Sequence, residues 1–328
     1  MYRDRKKLYA ELAKARQSKV LVYVTGDRRG LETQISSDAL ELFGNLLDHY
    51  DNAKKISLFL YTRGGETLAA WGIVNLIREF CDDLEIIVPS RCYSAGTLIC
   101  LGADRVVMTK QATLGPIDPS TNSPLNPQIP GMAPQARLPI SVEDVAGFIE
   151  MAKAQGISSE QYLSTIFAKL ADHVHPVALG RVGRTRGQIK DLARKLLDRH
   201  YKDKKQIANI INLLCSEAGS HDYLIYRTEA RNVLKLDVET PSKSLYSLVK
   251  AVYADIKEEL KLEEAYNPSN NVAMNKSEKY SVVRALIESQ RWGGYQFLRS
   301  GTLTKSQDPN GTTIVKDEVE FEGWKFGK

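Results

Sequence analysis

Val88-Pro-Ser-Arg-Cys-Tyr-Ser-Ala-Gly-Thr-Leu-Ile-Cys-Leu-Gly-Ala-Asp104 is the stretch whose reading decides the fold. The apolar run 84–88 stops at a proline, five mostly polar residues follow, and an alanine- and leucine-rich segment starts at Ala95. This pattern predicts a buried strand, a tight turn and a helix whose first residue is Ser94. A serine there has two uses. Its hydroxyl can cap the first helical turn, as most serines before helices do. It can also stand beside the turn's unpaired N–H groups, where positive partial charge collects, and act as an attacking oxygen.

Outward from this stretch, strands alternate with helices. The β-branched run KVLVYVT at 19–25 predicts a first core strand, ISLFLY at 56–61 a second, and RVVM at 105–108 a short fourth after the strand at 84–88. Helices are expected from Ser37, with Ala39, Leu40, Phe43, Leu46 and Leu47 on one face, and from the turn at Gly64-Gly65 to Phe80. The alternation implies an α/β fold with parallel βαβ units. Its two most irregular loops, at Gly64-Gly65 and Ser94, follow strand C-terminal ends, the edge where open α/β sheets place ligands.

The flanks differ from this core. Residues 4–17 form an amphipathic arm, with Leu8, Leu12 and Ala13 on one face. Seven of the 12 prolines fall between Pro116 and Pro139, marking a long loop. Helices follow at 141–155, 158–171, 176–200, 206–215, 228–233 and 242–264, the third opened by His175-Pro176. Residues 267–275 (NPSNNVAMN) suggest a linker, and alternation around Val319, Phe321, Trp324 and Phe326 suggests a small β-rich appendage. The expected organisation is an arm at 1–17, a core at 18–266 with a helical insertion at about 119–172, and linker plus appendage at 267–328.

Composition sets the class. The chain has 328 residues, 43% hydrophobic and 26% charged, as in soluble globular proteins. Its net charge of +5, from 45 basic and 40 acidic residues, is too balanced to imply nucleic acid. The basic stretch with Arg181, Arg184, Arg186, Lys190, Arg194, Lys195 and Arg199 lacks aromatics to stack on bases, so it reads as a solvated face or subunit contact. Cys81, Cys92, Cys100 and Cys215 show no paired spacing, which suggests reduced thiols in a cytoplasmic protein. The densely charged N-terminal stretch does not read as a signal peptide, and no run reaches the ~18 apolar residues of a transmembrane helix.

Gly64-Gly65 after a buried strand permits a sharp exit. It also lets a main-chain N–H face a cleft without a side chain in the way. With a second N–H from just after a nucleophile, at Ala95, the pair would form an oxyanion hole.

These motifs carry a family resemblance. Leu60-Tyr-Thr-Arg-Gly-Gly65, Tyr93-Ser-Ala-Gly-Thr-Leu98, Gly102-Ala-Asp104, Val106-Val-Met108 and Leu114-Gly-Pro-Ile-Asp-Pro119 resemble the Clp-protease/crotonase superfamily. Within it the chain most resembles the serine dehydrogenase proteinase family, relatives of the Clp proteolytic subunit and of signal peptide peptidase A. His175-Pro-Val-Ala-Leu-Gly180 and Ser220-His-Asp-Tyr-Leu-Ile225, followed by Glu229-Ala230, fit the same branch. The similarity covers roughly residues 18–240.

The resemblance implies a Clp/crotonase-like core, a serine peptidase activity on peptides or proteins, a homo-oligomer and no cofactor. It implies Ser94 as nucleophile, with the N–H groups of Gly65 and Ala95 as oxyanion hole. The general base departs from the family pattern. Clp-type members place a histidine at the level of Ile117-Asp118, and signal-peptide-peptidase-like members often place a lysine before the helix expected at 176–200; this chain has neither.

By position His175 is the first candidate base, since neutral imidazole suits the task; its plain alternative is a helix N-cap beside proline. His221 is the second, as base or as orienting group, with a surface turn as its alternative. Asp118 and Asp222 could orient an imidazole. Lys110, after a short strand, reads as solvated. His173 and His175, two apart with no convincing further ligands, do not make a zinc site. Beside the peptidase stand a catalytically silent crotonase-fold scaffold or peptide-binding oligomer, kept open by the missing base, and acyl-CoA chemistry, against which the serine turn argues.

Overall fold

The computed structural model of the protein describes residues 2–50, 53–117, 120–121, 123–133, 135–138, 140–217, 222–307 and 311–327. They divide into two compact units, one of residues Met1–Leu114 with Ile225–Lys328, the other Gly115–Leu224.

The first unit opens with helix α1 (Tyr2–Arg16) and continues through β1 (Lys19–Thr25), α2 (Ala39–Leu47), β2 (Ala53–Tyr61), α3 (Thr67–Arg78) and β3 (Cys81–Val88). Next come β4 (Arg91–Cys92), α4 (Ala95–Leu101), β5 (Arg105–Met108) and β6 (Thr113–Leu114). The second unit holds β7 (Ser120–Thr121), β8 (Ile140–Ser141), α5 (Val142–Ala154), α6 (Glu160–His173), α7 (Pro176–Leu197) and α8 (Lys204–Asn212), which runs into a π turn at Leu213–Glu217. It extends beyond the insertion expected at 119–172. The chain re-enters the first unit with β9 (Ile225–Tyr226), α9 (Arg227–Asn232), β10 (Val238–Glu239), α10 (Lys243–Leu260) and three long strands, β11 (Ser277–Ser289), β12 (Gly294–Gln307) and β13 (Thr313–Gly327).

Among the described residues the main sheet has the order β10-β5-β3-β2-β1-β11-β12-β13. The expected parallel core is there: β1 pairs β2, β2 pairs β3, and β3 pairs β5, all parallel. These central strands are buried on both faces, so they read as continuous apolar runs rather than alternating ones. Val20, Val22, Val24, Phe59, Tyr61, Ile87 and Val107 share one cluster with Tyr9 and Leu12 of α1 and with Val249, Val252 and Ile256 of α10.

The C-terminal strands correct the expectation of an appendage. β11 pairs antiparallel with β1, Leu21 opposite Ser289 and Thr25 opposite Ala285, so the segment extends the core sheet. Charged side chains hold the join. Arg5 of α1 is fully buried; its guanidinium donates to both Glu288 oxygens of β11, at 2.6 and 3.2 Å, and ion-pairs with Asp255 and Glu259 of α10. A burial this costly persists only when every donor is matched. At the far end of α1, Arg16 pairs with buried Glu85 and with Glu239.

Candidate active site

Two turns at strand C-terminal ends meet through backbone hydrogen bonds. The Thr62 N–H donates to the Arg91 carbonyl, and the Tyr93 N–H returns a bond to the Thr62 carbonyl, both at 3.1 Å. β4 thereby runs alongside the turn that follows β2. Thr62 is also the local anchor: its Oγ1 accepts from the Gly64 N–H at 2.9 Å and from Thr25 Oγ1 at 2.7 Å. At the start of β4, Arg91 is tied to Asp27, whose carboxylate also accepts the Tyr61 hydroxyl at 2.8 Å.

Ser94 lies between β4 and α4 with φ 51° and ψ −115°. With the Gly96 N–H donating to the Tyr93 carbonyl at 2.8 Å, these angles describe a type II′ turn with Ser94 as its first central residue. That position normally takes glycine, and a serine there is strained. The helix begins at Ala95, one residue later than expected, and the Ser94 side chain makes no capping bond. The capping use of this serine is therefore not the one the chain makes. Among the described residues its Oγ has no hydrogen-bond partner.

Glycines fix the surroundings. A Cβ built on Gly64 would lie 2.8 Å from Ser94 Cβ and 3.3 Å from Ser94 Oγ, so the two turns touch at the hydroxyl. Gly65 has φ +145°, and a Cβ there would stand 2.2 Å from the Ile35 carbonyl oxygen. This close approach holds the turn: the Ile35 N–H donates to the Gly64 carbonyl and the Glu66 N–H to the Ile35 carbonyl, both at 2.8 Å. The N–H of Gly65 lies between these two bonds and, like that of Ala95, has no acceptor among the described residues. Gly96 takes a place where a Cβ would be 2.4 Å from Thr62 Cγ2.

Ser94 and Gly65 are half-buried, and α4 is buried throughout. Cys92, two residues before the serine, places its sulfur 3.6 Å from that of Cys100. Burial, with the neighbouring Cys100, pushes the Cys92 thiol well above its ordinary range, so it remains a neutral core side chain rather than a nucleophile.

The other candidates are placed differently. His175 belongs to the second unit, is exposed, and caps α7: its Nδ1 accepts the Val177 N–H at 3.2 Å. An imidazole accepting at Nδ1 carries its neutral-form proton on Nε2, so it has no second acceptor nitrogen. His173 ends α6 and His175 stands just before α7, so the two lie at the ends of different helices. Asp222 is exposed. His221 and Asp118 lie outside the described residues. Lys110 is exposed, its Nζ 5.9 Å from the Tyr246 ring centre. Thr62, Ile35, Asp27 and Arg91 were not singled out from sequence; only Thr62, just before the glycine pair, carried a positional signal.

Among the described residues no group of three or more histidine, cysteine, aspartate or glutamate side chains is arranged to hold a metal ion. No helix there is long and apolar enough to cross a membrane.

Residues 45–136 match the family described as ClpP-like SDH-type serine proteinase, the family its motifs resemble. The matched segment contains both turns. An uncharacterized protein of Methanocaldococcus jannaschii is 27% identical over 187 residues, 57% of this chain and 54% of that protein. The alignment thus spans about half the length of that relative. Among solved structures, the 1510-N membrane-bound stomatin-specific protease is 18% identical over 69% of this chain and 82% of its own, with a TM-score of 0.41. ClpP1 from Listeria monocytogenes is 14% identical over 73% of this chain and 99% of its own, with a TM-score of 0.37.

Proposed function

We propose that this chain, with its ClpP-like serine proteinase segment, is a serine peptidase whose nucleophile is Ser94. The observation that carries the reading is the strained, uncapped serine beside two unpartnered main-chain N–H groups. Ser94 Oγ attacks the scissile carbonyl, and the developing oxyanion accepts hydrogen bonds from Gly65 and Ala95. A histidine takes the hydroxyl proton and passes it to the leaving amine, forming an acyl-enzyme that water then hydrolyses.

Of the two candidate bases we favour His221, because the cap bond on His175 occupies its acceptor nitrogen. Asp222 and Asp118 are the candidate orienting acids. The substrate is a peptide or protein, in keeping with the family match. We place the enzyme in the cytoplasm: all four cysteines are buried and outside disulfides. No cofactor enters the proposed steps.

The second reading is a silent scaffold or peptide-binding oligomer. It is favoured by the Ser94 hydroxyl, which has no proton acceptor within hydrogen-bond reach among the described residues. A fluorophosphonate probe separates the two. Labelling that disappears in Ser94→Ala is expected; an unlabelled, folded wild-type chain would establish the scaffold instead.

A further inference from the structure

The two turns that meet at Ser94 each carry an arginine, and both side chains are exposed. Arg63 stands directly before the Gly64-Gly65 pair, and Arg91 opens β4, the strand that leads to the serine. They flank a parallel bridge between Thr62 and Cys92, which brings them to the same end of the sheet. That end is the C-terminal edge of the parallel strands β1, β2 and β3, where an α/β sheet meets its ligand.

These two arginines differ from their basic neighbours in how little of their hydrogen-bonding capacity is used. Arg284 donates from Nε to the Leu31 carbonyl at 3.0 Å and from Nη2 to the Glu32 carbonyl at 2.5 Å, and it pairs with Glu322. Arg28 donates to the Glu264 carbonyl at 2.9 Å and lies over the Tyr266 ring. Arg63, by contrast, makes no hydrogen bond or ion pair among the described residues. Arg91 uses one nitrogen, Nη1, on Asp27, and its Nε and Nη2 make no bond among the described residues. The Asp27 side chain is only 2% exposed, so a buried carboxylate fixes one side of the guanidinium while Arg91 itself stays 46% exposed. Nearby acids are engaged by the main chain: Glu66 accepts from the Ser37 N–H at 3.1 Å and Glu32 from the Gly30 N–H at 3.0 Å. The Glu32 carboxyl is held below its usual range first by the N–H groups of Glu32 and Gly30; Arg284 and Arg63 add to this from a distance. What is left open beside Ser94 is a set of guanidinium donors, and their planar fork matches a carboxylate.

We infer that Arg63 and Arg91 form a carboxylate subsite of the Ser94 centre, so that the substrate carries an acidic group close to the bond cleaved. The inference rests on Ser94 as the nucleophile of a peptidase. Arg91 supplies a fork already oriented by Asp27, and Arg63 supplies a second charge from the other side of the Thr62–Cys92 bridge. A basic substrate side chain would meet like charge there. Aspartate and glutamate side chains and a free peptide C-terminus present the same two oxygens, so the chemistry recognised is a carboxylate from either source.

A fixed internally quenched peptide, with Glu, Gln or Lys scanned through each position and the C-terminus either free or amidated, tests the subsite. The wild type is expected to cleave its best Glu peptide with a kcat/KM about tenfold or more above that of the Gln counterpart. Added salt should shrink this ratio. It should fall to near parity in Arg63→Gln, turn toward the Lys peptide in Arg63→Glu and weaken in Arg91→Lys, each with unchanged far-ultraviolet circular dichroism. Preference among amidated peptides assigns a side-chain carboxylate, and preference that requires a free C-terminus assigns the chain end. Cleavage with Glu and Gln at parity, or a Glu preference that survives Arg63→Glu, overturns the subsite and leaves the peptidase standing. In a wild type that cleaves nothing and takes no fluorophosphonate, fluorescence anisotropy of the same peptides decides. Glu-selective binding that is lost in Arg63→Glu keeps the subsite while the peptidase falls; unselective or absent binding overturns both.

Discussion

Replacing Ser94 by glycine and by alanine should separate the strain at the turn from its chemistry. Both changes delete the hydroxyl, which makes no hydrogen bond among the described residues, so neither variant loses a side-chain partner the other keeps. Both also preserve the backbone bonds that frame the residue, Gly96 N–H to Tyr93 and Leu98 N–H to Ser94, at 2.8 and 3.1 Å. The difference is φ 51°, ψ −115°, which alanine must hold and glycine adopts freely. Such a conformation costs a residue with a Cβ about 1–3 kcal/mol. Glycine gives back about 0.4–1 kcal/mol through its freer unfolded chain. Ser94→Gly should therefore be more stable than Ser94→Ala by about 0.5–2 kcal/mol. Urea unfolding followed by circular dichroism measures the gap as a higher midpoint at similar slope. Both variants should lose fluorophosphonate labelling. An alanine variant as stable as the glycine variant would refute the claim that the fold holds this serine under strain.

Gly65→Ala would drive a Cβ to 2.2 Å from the Ile35 carbonyl oxygen; we expect a loss of about 2 kcal/mol or more by urea unfolding, with probe labelling strongly reduced. His221→Ala should lower the labelling rate by about a hundredfold or more, whereas His175→Asn, which keeps a capping side chain, should leave rate and stability nearly unchanged; the opposite ranking would return the base to His175. Burial alone would raise the Glu85 carboxyl, but hydrogen bonds and charge from Arg16, with Lys55 and Ser57, outweigh it and hold it below the usual range. Its stabilising contribution is therefore present above the unfolded carboxylate pKa, about 4.3, and fades as pH falls through the lower folded value. Arg16→Gln should cost about 2–3 kcal/mol at pH 7, and the gap to wild type should shrink toward pH 4; a gap that does not change with pH would refute this linkage.

The parallel core was legible where burial made the sequence monotonous. KVLVYVT and RVVM, at 19–25 and 105–108, match β1 and β5 residue for residue. The starts of β2 and β3 were missed because two charges follow the first residue of each, Lys54 and Lys55 after Ala53, and Asp82 and Asp83 after Cys81. Lys55 stands opposite Asp83 across the pair and its ammonium reaches Glu85, so residues that look like loop from one strand alone are partners between strands. The same blindness hid the C-terminal strands. Ala285–Ser289 borders β1, but Glu288 within it looks like a solvent-facing residue until Arg5, from the other end of the chain, neutralises it. Hydrophobic periodicity assigns charges to the surface, and here a buried ion network joins the two termini of the first unit.

At the site, legibility follows the same division between local and distant. The strand–turn–helix around Ser94 and the glycine pair are encoded by neighbours in sequence, because a positive φ and a close backbone approach leave glycine or a strained residue behind. What makes them one site is not local. Thr62 bridges them with its backbone on both sides, and Ile35 closes the glycine turn from a loop some thirty residues earlier. A proton acceptor is the least local part of all. Geometry alone defines it, and several histidines meet the residue type. His175 shows how position misleads: proline at the helix start is as good a reason for a capping side chain before it as catalysis is, and the imidazole does cap. The test that matters for the base is therefore a substitution that preserves the cap while removing the titratable ring, and His175→Asn does that where His175→Ala would lose both at once.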